Sequence, residues 1–497
     1  MKKNWAIILC FALVFAVAAG CEGGGSGKPD PALDAVYEAV QFEESKGALS
    51  YMIGVYVGVP NIGDSSWGPT NGPIADRAEF NTQMQYLAEC GISMNFPGYG
   101  NFTYGDAYND MCMEEAAKNG ITHLVSDSTL RGYLRDAAME EDGSSQQEAA
   151  ISQANARITA RGYKKPGGGY KDGYAGLFIV DEPSRMGGNG GYTFELLGKM
   201  REIYEELMPG TMFYVNLFPC YGSNSQYWGS AGVLYNYESY IKDYLNIVGT
   251  DYCMFDYYAL NSGDPNSLAD TFIYNLGFVR TETIKKDAAA NVILASIAFG
   301  GKNRAPESVA DTAWQAYSSM AMGYDGIHWF TYWSPPTFDG ATTFGEGIIG
   351  RDKQKTDIYG YVQTTNLEIR QFEHIFLNFD WKGAMGTIGS KNEQENNLNF
   401  RNGKDYFTTT SKITDIKAEQ DTLTGIFRSK DDKYDAFMFV NFEEPSKGTV
   451  SKTEVTFKDV KEAAVIYKGG IERVVLKKGK LSYNIEAGQG LFVIPLG

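Results

Sequence analysis

Histidine is scarce: the 497-residue chain has three, at positions 123, 328 and 374, with no ligand spacing among them. A His-Glu-x-x-His zinc site is absent, and no G-x-S-x-G elbow is present to complete a Ser-His-Asp triad. Cysteine is also sparse, at six residues. Cys10 and Cys21 fall in the N-terminal segment, which leaves Cys90, Cys112, Cys220 and Cys253, too scattered for a metal cluster or a disulfide scaffold. Cys90 and Cys112 are either a pair or two buried thiols on predicted helices. Positive charge is in deficit: 44 Lys and Arg face 61 Asp and Glu, a formal charge of −17 that repels phosphate backbones and argues against nucleic acid as a partner. No Walker loop occurs, and the glycine-rich GGGYKDG stretch at 167–173 does not stand at a strand-to-helix turn. With 43% hydrophobic and 21% charged residues, neither a disordered polymer nor a polytopic membrane protein fits. Aromatic residues, by contrast, are plentiful: 33 Tyr, 28 Phe and 7 Trp supply rings for a large core and for stacking on the C–H faces of sugars.

The first residues, Met1-Lys2-Lys3, precede an apolar run from Trp5 to Ala19 and then Ala18-Ala19-Gly20-Cys21, the pattern of a secretory signal. A cysteine directly after small residues resembles the lipobox of bacterial lipoproteins. That resemblance implies a signal peptide over 1–20, a lipidated Cys21, and a tether over 21–44 that opens with the flexible GGGSGK. It further implies a lipid-anchored protein of the bacterial envelope, at the outer membrane or cell surface, touching the membrane through the lipid alone. A plain secretory peptide with an incidental Cys21 is the alternative.

From residue 51 onward, short apolar runs alternate with longer amphipathic stretches. Eight predicted strands follow: 51–58, 93–99, 122–127, 174–183, 211–219, 250–258, 292–300 and 325–333. Strands apolar on both faces, each followed by a helix, call for a parallel sheet covered by helices, and eight of them over some 330 residues predict a (β/α)₈ TIM barrel over 45–382. After Trp381 the texture changes to YFTTTS, LTGIFRS, DAFMFVNF, TEVTFKD, AAVIYKG, ERVVLKKG and LFVIPLG, separated by Lys, Asp and Gly turns. Short strands at such intervals predict an antiparallel β-sandwich over 383–497. The predicted last helix runs into Asp380-Trp381-Lys382 without a Gly/Ser linker, so a rigid junction is expected.

Barrel chemistry is carried at the C-terminal ends of strands. Strand four ends in Asp181-Glu182-Pro183; two adjacent carboxylates in a partly desolvated mouth repel each other, which raises the pKa of at least one and suits it as a general acid. Strand six places Asp251 at the bottom of the barrel and Asp256 at the mouth beside Tyr257 and Tyr258. Asn95, Asn216, Tyr257, Tyr258, Tyr332 and Trp333 are candidate substrate contacts, with Trp333 the stacking platform; Trp329 is as easily core as mouth. Asp431, Asp432 and Asp435 read as an acidic hairpin turn rather than a calcium site. The three histidines cannot build a zinc site, and no metal or cofactor is expected.

VDEP, NLFP, FDYY, AYSSMAMGYDGIHWFTYWSP and the NLEIR helix together resemble bacterial glycoside hydrolases with a (β/α)₈ barrel and a C-terminal β-sandwich. The resemblance implies hydrolysis of an oligo- or polysaccharide with Glu182, the Glu ending strand four, as acid/base. The usual Asn before that Glu is Asp181 here, and strand seven, ASIAFGGKNR, lacks the usual nucleophilic carboxylate. Either Asp256 supplies the second carboxylate, as nucleophile at about 5–5.5 Å or as base at about 6.5–9.5 Å, or the substrate supplies its own nucleophile. The second route resembles N-acetylhexosaminidases and implies Asp181 orienting the N-acetyl group and Tyr258 steadying its oxygen. Only Arg185, Lys302 and Arg304 lie in predicted mouth loops, so a neutral or N-acetylated glycan is expected over a sulfated or uronate-rich one. A non-catalytic, glycan-binding lipoprotein on a barrel scaffold is the rival reading; it would keep the aromatics and discard the acids.

Overall fold

The computed structural model describes residues 28–42, 50–64, 73–96, 105–260, 265–337, 342–391 and 407–497. The predicted signal peptide, Cys21 and most of the glycine-rich tether lie outside the described residues. Eight parallel strands close into a barrel in sequence order: β1 (Met52–Tyr56), β2 (Met94–Asn95), β3 (Thr122–Val125), β4 (Tyr174–Asp181), β5 (Met212–Leu217), β6 (Tyr252–Asp256), β7 (Ala289–Ala295) and β8 (Gly326–Phe330). Closure is made by β8 against β1, from Met52 opposite Gly326 to Tyr56 opposite Phe330. All eight expected strands are present.

Large rings fill the barrel. Tyr214 stacks on Phe178 with centroids 5.5 Å apart and meets Phe96 at 4.7 Å; Phe96 in turn meets His328 edge-on at 4.8 Å. This crowding explains Gly54: a Cβ there would lie 1.9 Å from His328 Nδ1. Burial drives the pKa of His328 down to about 3, so the ring is a neutral core residue. The enclosing helices start with side-chain caps, Asp76 on Glu79, Asp127 on Leu130, Ser144 on Gln147 and Thr193 on Leu196, each satisfying an orphan N–H of the first turn.

The second domain is a β-sandwich. Six antiparallel strands run in the order β15, β14, β17, β12, β11, β9, and three more in the order β10, β13, β16. These are β9 (Phe379–Thr387), β10 (Ile413–Ala418), β11 (Thr422–Ser429), β12 (Asp435–Asn441), β13 (Ser451–Phe457), β14 (Glu462–Tyr467), β15 (Gly470–Val475), β16 (Lys480–Ile485) and β17 (Gly490–Leu496). The six-stranded sheet is a middle layer. Ile426, Phe437, Phe439, Val465 and Val493 share a core with Val455, Phe457 and Leu481 of the smaller sheet. Their strand neighbours Phe427, Met438, Val440, Ala464, Ile466, Phe492 and Ile494 belong to the barrel's core, so two-residue alternation sends every second side chain to each body.

Several expectations need correction. β9 starts at Phe379, so the sandwich begins inside the segment assigned to the barrel. Of YFTTTS, Tyr406 lies outside the described residues and 407–411 form no strand, whereas 413–418 and 480–485 are strands whose Lys, Asp, Ser and Asn residues read as turns in the sequence. The tether is not flexible throughout. A 3-10 turn (Pro31–Leu33) and a helix (Asp34–Ala39) lie on the C-terminal domain, where Arg473 pairs with Asp34 at 2.7 Å and donates to the Asp30 carbonyl at 2.8 Å. Cys90 and Cys112 are both free and buried.

The two bodies meet through aromatic rings: Phe492 contacts Phe372, Phe376, Phe379 and Phe427 at 5.6–6.2 Å. Phe492→Ala should cost about 3–5 kcal/mol, the range for truncating a buried Phe. Denaturant titration should show barrel and sandwich unfolding in one shifted transition; early loss of the sandwich alone would contradict a shared core.

Candidate active site

Two backbone irregularities place the strand-four carboxylates. Phe178 faces inward against Tyr214, so plain alternation would point Val180 into the barrel and Asp181 out of it. The β4–β5 register shifts between Phe178 and Val180, which sets Asp181 opposite Asn216 and turns it inward. Glu182 then adopts φ +45°, the left-handed region that non-glycine residues seldom occupy. Its N–H donates to the Asn216 carbonyl at 2.8 Å, and Asn189 Nδ2 donates to its carbonyl at 2.7 Å. Reversing the chain at this point keeps both adjacent carboxyl groups at the mouth.

Asp256, at the end of β6, completes the cluster. Asn216 Nδ2 spends its two hydrogens on two different acids, donating to Asp181 Oδ1 at 2.9 Å and Asp256 Oδ1 at 3.1 Å. Glu182 and Asp256 act on each other's protonation, raising the pKa of the one and lowering that of the other. Burial, then the charges of Asp256 and Asp181, push the Glu182 pKa far up. Burial also raises Asp181 and Asp256, but the Asn216 amide favours their ionised forms. Burial is the largest influence at each of the three groups. The proton therefore resides on Glu182, which donates it toward Asp256.

Four tyrosines, Tyr56, Tyr214, Tyr221 and Tyr258, feel these charges, and burial followed by the carboxylates holds each hydroxyl protonated.

The structure brings together Asp181, Glu182, Asp256, Asn216 and Tyr258. Asn216 differs from expectation, since its amide engages two carboxylates instead of an open subsite. Tyr257 follows the inward Asp256 and so points outward, packing on Phe272 at 5.0 Å and bonding Thr271. Asn95 is buried; its Oδ1 accepts from the Val59 N–H at 3.2 Å and its Nδ2 lies 3.1 Å from His123 Nδ1, so it holds a loop. Tyr332 is buried and donates to the Gln83 carbonyl at 2.9 Å. Trp333 is 1% exposed, clamped by its N–H to the Val57 carbonyl at 2.9 Å, and presents no open ring face. Trp329 is core. Arg185 is paired with Glu195 and Asp243, and Arg304 with Asp311 and Glu444. Asp431 pairs with Lys433 and Asp435 with Arg428, as a hairpin turn would have them.

Sequence reasoning missed Tyr56, Tyr214, Tyr221 and Asn189. Tyr56 and Tyr214 were legible as strand residues whose parity needed only the register; Tyr221 and Asn189 sit in polar loops that carry no periodic signal.

No protein-family model matches the chain, and no curated protein does. Among solved structures, similarity is found to an α-amylase from Geobacillus thermoleovorans complexed with acarbose, at 8% identity and a TM-score of 0.48 over 90% of this chain and 98% of that one. An Anoxybacillus α-amylase gives 10% identity and 0.46 over 90% and 98%. An α-L-arabinofuranosidase from Thermotoga maritima gives 11% and 0.42 over 89% and 93%.

A carboxyl whose pKa is raised in the folded state adds stability below its unfolded value of about 4.3 and loses it as pH rises toward the folded value. Melting curves of Glu182→Gln should therefore gain on the wild type steadily from about pH 4 to about pH 9. A pH-independent difference would show that Glu182 is ionised in the native protein.

Proposed function

We propose that this chain is a glycoside hydrolase with Glu182 as its general acid. The observation that carries the reading is the buried position of Glu182 at the end of β4, beside Asp181 and near Asp256 of β6, where burial and then the two carboxyl charges push its pKa up. A glycosidic oxygen leaves poorly unless protonated as the bond breaks, and a positioned acid supplies about 10²–10⁴-fold. A carboxyl that stays neutral near pH 7 is suited to that task.

Asp181 and Glu182 stand side by side at the end of β4, and Tyr258 feels both of their charges. This set supports the route in which an N-acetylated glycan supplies the nucleophile. The acetamido carbonyl oxygen attacks the anomeric carbon while Glu182 gives its proton to the departing oxygen; Asp181 accepts the acetamido N–H, and Tyr258 donates to its oxygen. The carboxylate left at Glu182 then takes a proton from the water that opens the cyclic intermediate, which restores the acid. Asp256 is a positioning residue that orients the Glu182 proton. Cleavage of a neutral glycan would require Asp256 to act itself. The paired state of Arg185 and Arg304 accords with an uncharged substrate.

The N-terminal sequence supports a place on the bacterial envelope through a lipid on Cys21. Eight residues lie between Cys21 and Asp30, where the chain is fastened to the C-terminal domain, a leash of about 30 Å at full extension.

A panel of para-nitrophenyl glycosides, neutral and N-acetylated, tests the reading by product release. Glu182→Gln should lose about 10²–10⁴-fold in turnover while keeping its fold. Loss in Asp181→Asn confined to N-acetyl sugars selects the substrate-assisted route; loss in Asp256→Asn on neutral sugars selects the two-carboxylate route. Binding without cleavage across the panel would overturn the hydrolase reading in favour of a glycan-binding protein.

A further inference from the structure

Tyr221 is the one aromatic side chain among the described residues that is substantially exposed, at 50%, in a chain where 14% of residues are aromatic. It stands in the loop that follows β5, on the catalytic face, and its ring meets Tyr257, the residue after Asp256, edge-on at 5.2 Å and 64°. The backbone N–H of Tyr258 reaches its hydroxyl, and the charges of Asp256 and Glu182 act on it.

The loop is fixed on both sides of this residue. The Cys220 N–H donates to Asn275 Oδ1 at 2.7 Å, the Gly222 N–H donates to the Pro219 carbonyl at 3.1 Å, and Tyr227 donates its hydroxyl to that same carbonyl at 2.7 Å. Gly222 is needed there, since a Cβ would lie 2.8 Å from the Tyr227 ring. A large apolar ring left half in solvent has a solvation cost, and here the backbone is built to hold it still. Such an arrangement is preorganised for a ligand that offers an apolar face, because little side-chain freedom is lost on binding.

Resting on the hydrolase reading above, we propose that Tyr221 is the stacking platform of the site, receiving the C–H face of the sugar ring seated against Glu182 and Asp256. It takes the part that the sequence had suggested for Trp333, whose ring is covered. The ring selects for a pyranose with an apolar face and fixes the distance between that ring and the acid pair. The hydroxyl, already engaged with the Tyr258 N–H, is not the group that recognises the sugar.

The test measures binding apart from turnover. In a Glu182→Gln background, titration calorimetry with para-nitrophenyl N-acetyl-β-glucosaminide, galactoside, mannoside and arabinoside identifies the glycosides bound. Adding Tyr221→Ala should weaken binding of those glycosides about tenfold, Tyr221→Phe should leave it within about twofold, and Tyr221→Trp should retain it. In the active enzyme, Tyr221→Ala should raise KM by a larger factor than it lowers kcat, with circular dichroism confirming the fold. Unchanged affinity in Tyr221→Ala, or a loss in Tyr221→Phe as large as that in Tyr221→Ala, would overturn the platform while leaving the hydrolase reading standing. Absence of both binding in Glu182→Gln and turnover in the wild type would overturn both.

Discussion

Three carboxyl groups share a poorly solvated barrel mouth, and that constraint organises the site. They cannot all be ionised at once. One amide, on Asn216, decides which of them gives way: its two N–H bonds reward ionisation at Asp181 and Asp256 and leave Glu182 to keep the proton. The bulge in β4 brings Asp181 to the amide, and the left-handed turn at Glu182 keeps the second carboxyl beside it.

The barrel that presents this cluster is supported from one side by a sheet with two apolar faces. Phe492 and its alternate neighbours complete the packing of the barrel helices, while Phe437 and Phe439 on the opposite face complete the sandwich. The second domain is therefore structural to the first, and the junction at Phe379 is a continuation of the last barrel helix into a strand of the shared layer. The N-terminal helix adds to the same body through Arg473, which ties both ends of the described chain to one sheet.

Much of this was legible in the sequence. All eight barrel strands announce themselves because a strand buried on both faces is a continuous apolar run, and Asp181, Glu182 and Asp256 stand out as charges that end such runs. What alternation could not reveal was parity after a bulge: Asp181 faces inward only because the β4–β5 register slips. The same limit misplaced Tyr257, Tyr332 and Trp333, whose side chains the local backbone turns away from the mouth. Strand β10 was missed because much of it is solvated, β16 because its Lys, Ser and Asn break the apolar pattern although most of it is buried, and Tyr221 because a residue in a polar loop is placed by its hydrogen bonds, which no local pattern encodes.

The left-handed backbone at Glu182 bears on how such a protein can change over time. At φ +45° a glycine would relieve a backbone cost of order 1–3 kcal/mol, and its lack of a carboxyl would also end the charge crowding. A glutamate is thus among the least comfortable residues for the fold at that position. Stability alone would run downhill toward glycine there, so an acid at 182 is not what the fold by itself would choose.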